Sequence, residues 1–171
     1  MTASYFDLVG FGPEGWGPVL ATATLMTLAV ALAGFAAGAV LGGLLAWARI
    51  AGGVVIGGLA QAYSTVMRGI PDLLVIYLFY FGGSAVLGRL AALFGHDGFI
   101  GVPAFLTGAL AIAVVSAAYQ GEVFRGAHAA VPRGEIEAAV AIGMSKRQIL
   151  RRILLPLTLR YALPGLGNTW Q

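Results

Sequence analysis

Few side chains in this sequence could carry out covalent or metal chemistry. Its 171 residues include no cysteine and only two histidines, His96 and His128, which are far apart along the chain. The absence of cysteine excludes disulfides and thiolate-bound metal ions. We therefore predict neither a metal site nor a bound cofactor, and the simplest interpretation of both histidines is that they are solvated loop residues.

Glycine-rich phosphate-binding patterns are absent or out of context. Residues 10–15 match G-x-G-x-x-G, but no strand precedes them and Pro13 interrupts them, so we interpret the match as chance within a turn. The pattern G-x-x-x-x-G-K-[ST] does not occur. The chain has no recognisable phosphate-binding loop, so we predict that it is not an enzyme and that any ATP is bound by a partner chain.

Two carboxylates beside apolar stretches are the remaining candidates for ligand binding. Asp72 comes just before the apolar stretch 73–88, and Glu122 follows the stretch 99–118. A carboxylate embedded in a membrane is a functional candidate, and either one could meet a cationic group of a substrate. The simpler interpretation, which we favour for both, is pairing with an arginine, for example Arg125 in the case of Glu122.

The composition indicates that the elements positioning these residues lie in lipid. The chain is 59% hydrophobic and 10% charged, whereas soluble domains average about 45–50% apolar and about 25% charged residues. A membrane-spanning helix needs about 20 mostly apolar residues. Strong candidates lie at 19–47 and 99–118, weaker ones at 50–67 and 73–88, and another apolar segment begins after Arg160.

The distribution of positive charge predicts the topology. Seven of the ten Lys and Arg residues fall between Arg125 and Arg160, and the positive-inside rule places that stretch in the cytoplasm. Arg49, just after the first span, should also be cytoplasmic. We expect an external N-terminal segment over residues 1–18, a membrane bundle over 19–171 and a cytoplasmic loop at about 126–156.

An even number of crossings must separate the two cytoplasmic points, so one of the three stretches between them is not a span. The stretch 50–67 is the weakest, and we interpret it as a cytoplasmic or interfacial approach helix that breaks at Gly69 and Pro71. The stretch 73–88 then crosses outward to an external loop at 95–98. The alternative is one kinked crossing over 59–80 with a buried Arg68, which is costly unless the arginine is paired or hydrated.

Three glycines on the first span recur at every fourth position: Gly34, Gly38 and Gly42. Such a row of small residues lets another helix approach closely. We interpret it as packing within the bundle rather than as a dedicated dimer motif.

The most informative region is residues 135–156. Glu135 and Glu137 are expected in the first turn of a helix, where carboxylates are favourable, and Gly143 ends that helix. The sequence Ser-Lys-Arg-Gln from Ser145 to Gln148 predicts a capping box that starts a second, basic amphipathic helix. Its apolar residues are Ile149, Leu150, Ile153 and Leu154, and its basic residues are Lys146, Arg147, Arg151 and Arg152.

Three interpretations of this helix–turn–helix remain open. It resembles a DNA-binding motif, but the second helix runs directly into the next span and cannot enter a groove, so we predict no nucleic-acid partner. A basic amphipathic helix can also rest on anionic lipid, which explains the arginines but not the turn. The third interpretation is a docking element for a cytoplasmic partner.

The residues of this loop resemble a known family. The spacing of the fixed positions matches the "EAA loop" of the permease subunits of type I ABC importers; those positions are Glu137, Ala138, Ala139, Gly143, Ile153, Leu155 and Pro156. The segments 68–71, 80–82, 116–134 and 160–168 resemble the polar amino-acid permeases, especially those for histidine, lysine, arginine and ornithine and for octopine and nopaline. Such permeases usually continue past Gln171 to complete five spans, so we expect a C-terminally truncated chain.

The resemblance implies an all-α, polytopic bundle with a cytoplasmic coupling helix in the bacterial inner membrane. It implies a permease that imports polar, basic amino acids or opines and works with ABC ATPase subunits, a second permease subunit and an external substrate-binding protein. Glu137, Ala138, Ala139 and Gly143 are then the expected ATPase-coupling residues. The alternative is a secondary carrier or channel not driven by ATP, which an inverted repeat would favour; we see none.

Overall fold

The first long helix, α1 (Gly17–Ala51), contains the whole of the first predicted span. The structure is a computed structural model that describes residues 9–12, 15–83, 85, 86, 89, 92 and 103–170. With 35 residues, α1 is about 52 Å long, which exceeds the about 30 Å of a bilayer core. It ends at Ala51 with Gly52 as the C-cap, and Gly53 has φ +68°, so the chain turns at once into the next helix. Most of the predicted external segment 1–18 lies outside the described residues.

The second segment is broken where glycine and proline predict. Helix α2 (Gly53–Gly69) ends before Ile70, which is extended, and α3 (Asp72–Tyr77) follows Pro71 and continues as a π-helical turn at Leu78–Gly82. The two helical pieces are bent by 105° relative to each other. The bend is compatible with one kinked crossing over 59–80 as well as with a separate approach helix followed by a span, so both remain predictions. The predicted external loop at 95–98 lies outside the described residues.

Helix α4 (Ala104–Ala129) is longer at its C-terminal end than the predicted span 99–118. The predicted span stops before Glu122 because a charge usually marks the limit of an apolar segment. The helix continues for two more turns beyond Glu122, and its carboxylate is paired with arginines inside the bundle. Residues 99–102 lie outside the described residues.

The basic loop is two helices joined by a tight turn. Helix α5 (Arg133–Ala141) starts after Pro132. Helix α6 (Lys146–Ile149) leads through a π-helical segment, Leu150–Leu154, into α7 (Leu155–Thr169). Of the four apolar residues predicted to share one side, Ile149 is buried, whereas Leu150 is half exposed. The π-helical segment widens the turn there, so the simple helical periodicity does not hold.

The core of the bundle is the contact between α1 and α4. Gly34, Gly38 and Gly42 are buried, and a Cβ atom added to any of them would lie within 3.0 Å of an atom of α4. Helix α7 also packs on α4, where Ala162 is fully buried and Gly165 faces Val123. The predicted packing role of the glycine row is therefore confirmed.

Among the described residues, all regular elements are helical. Helices α1 and α4 are long and apolar enough to cross a membrane. If the bent pair of α2 and α3 counts as one further span, the total is three. The predicted class, an all-α membrane bundle, is confirmed.

Candidate functional sites

The turn between α5 and α6 depends on Gly143. Its φ is +79°, a left-handed conformation that other L-residues rarely adopt. The amide of Gly143 donates to the carbonyl of Val140 (2.9 Å), and that of Met144 donates to the carbonyl of Ala139 (3.0 Å). This pair of hydrogen bonds is the Schellman motif, which satisfies the last carbonyls of α5 and fixes the angle at which the chain leaves it.

The next helix starts with the predicted capping box. The amide of Gln148 donates to the hydroxyl of Ser145 (3.4 Å), and the amide of Ser145 donates to the side-chain oxygen of Gln148 (2.8 Å). Each residue thus caps the other. The two ends of the turn are held by hydrogen bonds within residues 139–148, so the geometry is set locally.

The faces of α5 divide the residues expected to contact an ATPase. Glu137 and Ala138 are exposed, whereas Ala139 is 3% exposed and lies inside the loop. The expected place of Glu137 in the first turn is wrong, because the helix already begins at Arg133 and only Glu135 falls in its first turn. Glu137 therefore does not cap the helix, and its side chain is exposed.

Glu122 is the centre of an ion-pair cluster that joins three helices. One of its carboxylate oxygens accepts a hydrogen bond from Arg49 at the end of α1. The other is 3.0 Å from Nε of Arg125, one turn further along α4. A terminal nitrogen of Arg68, at the end of α2, lies 3.7 Å from the oxygen that accepts from Arg49. The predicted pairing with arginine is confirmed for Glu122. A carboxylate already shared among three guanidinium groups has little capacity left for a cationic substrate.

Asp72 lies in a different environment, on a cavity of about 460 Å³ between α1, α3, α4 and α7. Among the described residues, no arginine or lysine lies within 4.0 Å of its carboxylate, so the pairing that we favoured from sequence is not formed there. The polar and aromatic residues that share the cavity wall with Asp72 are Phe35, Ser116, Tyr119, Asn168, Thr169 and Trp170.

Two aromatic rings close one side of this cavity. Phe35 and Trp170 meet edge to face, with ring centroids 5.1 Å apart, and so connect α1 to the end of α7. Nearby, the amide of the fully buried Gln120 donates to the backbone carbonyl of Phe35 (3.1 Å). Sequence reasoning missed Phe35, Gln120 and Trp170, since each acts only through contacts between helices distant in sequence.

The described part of the chain contains no group of three or more His, Asp or Glu residues that could hold a metal ion. His128 is half-buried near the end of α4. His96 lies outside the described residues.

The sequence and the fold are similar to known transport proteins. Residues 38–171 match the family described as "Binding-protein-dependent transport system inner membrane component". The chain is 55% identical over 167 residues to the octopine transport system permease protein of Agrobacterium tumefaciens (strain Ach5), covering 98% of this chain and 70% of that protein. It is 35% identical to the histidine/lysine/arginine/ornithine transport system permease protein of Escherichia coli (strain K12), covering 92% and 68%.

A solved structure has the same fold. The crystal structure of an amino acid ABC transporter with histidines superposes with a TM-score of 0.74 at 29% identity, covering 99% of this chain and 72% of that one. The family match covers most of the chain, and the curated relatives are permeases of transport systems. The chain therefore belongs to the inner membrane components of binding-protein-dependent transport systems and is a permease subunit of an ABC importer.

Proposed function

We propose that this permease imports basic amino acids or opines, driven by ABC ATPase subunits that dock on the exposed face of α5. The relatives named for octopine and for histidine, lysine, arginine and ornithine support the substrate class. The observation that carries the coupling role is the Gly143 turn, which presents α5 at a fixed angle with Glu137 and Ala138 exposed.

The proposed orientation follows from charge. Residues 19–171 form the ABC transmembrane domain, and segment 1–18 lies outside. The loop at about 126–156 lies in the cytoplasm, in agreement with its excess of Lys and Arg. A second permease subunit completes the pathway, and an external binding protein delivers the substrate.

Coupling works through two states of the bundle. ATP brings the two ATPase subunits together and moves the docked α5 helices with them. Ala138 contributes a small side chain to the docking face, and the buried Ala139 positions α5 against the rest of the loop. The permease carries out no covalent step; its partners shift the balance between inward and outward access.

A substitution pair at Gly143 tests the coupling role. Open space surrounds this residue within the chain, so a new side chain alters the backbone conformation rather than clashing. A left-handed conformation costs most L-residues about 1–2 kcal/mol, whereas asparagine tolerates it. We expect Gly143→Val to lose co-purification with the ATPase subunits and Gly143→Asn to retain it.

The Gly143 experiment needs a folding control, which is the thermal stability of the purified permease. Unchanged ATPase association in Gly143→Val, with the variant folded, would contradict the docking proposal. A quite different result, protease or labelling data that place Glu137 outside the cell, would contradict the orientation.

Of the two carboxylates considered for the substrate, we propose Asp72, because it faces the cavity without a basic partner within 4.0 Å among the described residues. Glu122 stays a prediction for this role, although a substrate there would have to displace its arginines. Aromatic walls such as Tyr119 and Trp170 also favour a cationic group.

Asp72→Asn removes the charge and keeps the shape. In the reconstituted importer with its binding protein, we expect transport of arginine, lysine and octopine to fall about tenfold, the equivalent of about 1.4 kcal/mol. Uptake of a neutral amino acid that the system accepts serves as the internal control and should change little. Equal losses for cationic and neutral substrates would show that Asp72 has only a structural role.

A further inference from the structure

Four basic residues lie within one short segment after the Gly143 turn: Lys146, Arg147, Arg151 and Arg152. No Asp or Glu occurs anywhere from residue 138 to the last residue, 171. In the part of the chain that the structure describes, none of the four has a carboxylate oxygen within 4.0 Å; all ion pairs found there involve Glu122. The charge of this segment is therefore uncompensated by the carboxylates that the structure describes.

Three of the four basic residues line one surface concavity. Arg147, Arg151 and Arg152, together with Ser145 and Gln148, line a surface concavity of about 610 Å³. Ser145 and Gln148 are hydrogen-bonded to each other in the capping box, so the arginines are the free donors. Like charges repel when gathered, so an anion between the arginines would stabilise the arrangement.

The position of the concavity indicates which anion. The same helix continues without a break into the apolar α7, and two leucines next to the arginines point outward: Leu150 is 50% exposed and Leu155 is 53% exposed. Exposed leucines and arginines in consecutive turns form a surface suited to the boundary between acyl chains and headgroups. Arginine binds phosphate oxygens through paired hydrogen bonds.

We propose that Arg147, Arg151 and Arg152 form a binding site for the phosphate headgroup of an anionic phospholipid of the cytoplasmic leaflet. The lipid neutralises the cluster and anchors the start of α7 directly beside the coupling turn. Because α6 follows Gly143 after only two residues, a lipid held there also fixes the base from which α5 projects. The site would make the coupling element sensitive to the anionic lipid content of the membrane.

The test uses the complete importer in nanodiscs and two double variants that each remove two charges. Arg147→Gln with Arg151→Gln removes lining residues of the concavity. Lys146→Gln with Arg160→Gln removes two nearby charges that do not line it. Glutamine is a good helix former, so the helices should persist. Phosphatidylglycerol retained per complex is measured by native mass spectrometry in mixtures with phosphatidylcholine.

Any basic residue near the surface contributes roughly fivefold to the affinity for an anionic lipid, and arginines that bond the phosphate directly contribute more. We therefore expect the first double variant to lose more than about 25-fold of the preference for phosphatidylglycerol. The second, which removes only the general attraction, should lose less. Equal losses in both variants would overturn the site in favour of diffuse attraction. Unchanged lipid preference with loss of the ATPase subunits would also overturn it, and would make the cluster a protein-binding surface.

Inorganic phosphate separates a lipid site from a site for a free anion. Added at millimolar concentration, it should not displace phosphatidylglycerol from the native complex, because the acyl chains and Leu150 and Leu155 contribute to binding. Displacement by inorganic phosphate alone would overturn the assignment to lipid. Thermal stability in pure phosphatidylcholine checks that both double variants are folded.

Discussion

The contact between α1 and α4 and the loop around Gly143 use the same two residue types for opposite physical reasons. In the helix contact, Gly42 is needed because a Cβ atom would meet the backbone of α4 at 2.9 Å. In the loop, Gly143 lies in open space and is needed for its φ of +79°. Arginines differ in the same way: Arg49 and Arg125 are paired with Glu122, whereas the loop arginines have no acidic partner among the described residues.

This difference separates the residues that hold the chain together from those that present it to others. The helix contact satisfies its steric and electrostatic requirements internally, and substitutions there should act on stability. The loop satisfies only its backbone hydrogen bonds and leaves charge and surface available, so substitutions there should act mainly on partners. Substitutions in the two regions should therefore separate effects on stability from effects on partner binding.

The largest effect on stability is expected at Glu122. Its replacement by alanine leaves Arg49, Arg68 and Arg125 close together without their shared carboxylate. Breaking a buried ion pair costs about 3–5 kcal/mol, and we expect about 3 kcal/mol, near the lower end, because Glu122 is 18% exposed and two of its partners are about 40% exposed. The free energy of unfolding of the purified permease in detergent is the quantity to measure.

A second substitution controls the Glu122 experiment. Arg49→Ala in the Glu122→Ala background removes the least exposed of the three arginines, so part of the lost stability should return, as a double-mutant cycle would show. Strictly additive losses would mean that the arginines are solvated and that the cluster does not hold α1 and α4 together.

The neighbouring glycines of α1 provide a smaller and more specific test. A Cβ atom on Gly42 would lie 2.9 Å from the backbone nitrogen of Gly121 and 3.0 Å from the carbonyl oxygen of Ala117, whereas one on Gly43 has nothing within 4 Å. Overpacking costs about 1–3 kcal/mol, and we expect that loss for Gly42→Ala. Gly43→Ala should be neutral or stabilise by up to about 1 kcal/mol. Similar unfolding free energies for the two variants would show that the helices can move apart at little cost.

The sequence was sufficient where structure depends on neighbours in the chain. The first span, the break at Gly69 and Pro71, and the Gly143 turn with its capping box all follow from local propensity, and each is present in the structure. Family resemblance added the fold class and the transport role, which the matching relatives confirm.

Sequence reasoning failed where distant segments compensate one another. The carboxylate of Glu122 lies within the bundle because arginines from two other helices pair with it, and no periodicity within α4 encodes that. Asp72 faces a cavity closed by Phe35 and Trp170, which come from opposite ends of the chain. One error is local: the helix begins at Arg133, directly after Pro132, so Glu137 lies beyond its first turn.

The smallest effect is expected at Ser145, and it tests whether the loop is indeed separate from the core. Ser145→Ala removes the hydroxyl that caps α6 and costs about 1 kcal/mol locally. Because the capping box is exposed and α6 continues into α7 only through the π-helical segment, global unfolding should shift by less than that local cost. Faster amide hydrogen exchange confined to residues 142–149, with ATPase association weakened, would support independent behaviour of the loop. A loss of global stability as large as that of Gly42→Ala would instead show that the turn and the α1–α4 contact unfold as one unit.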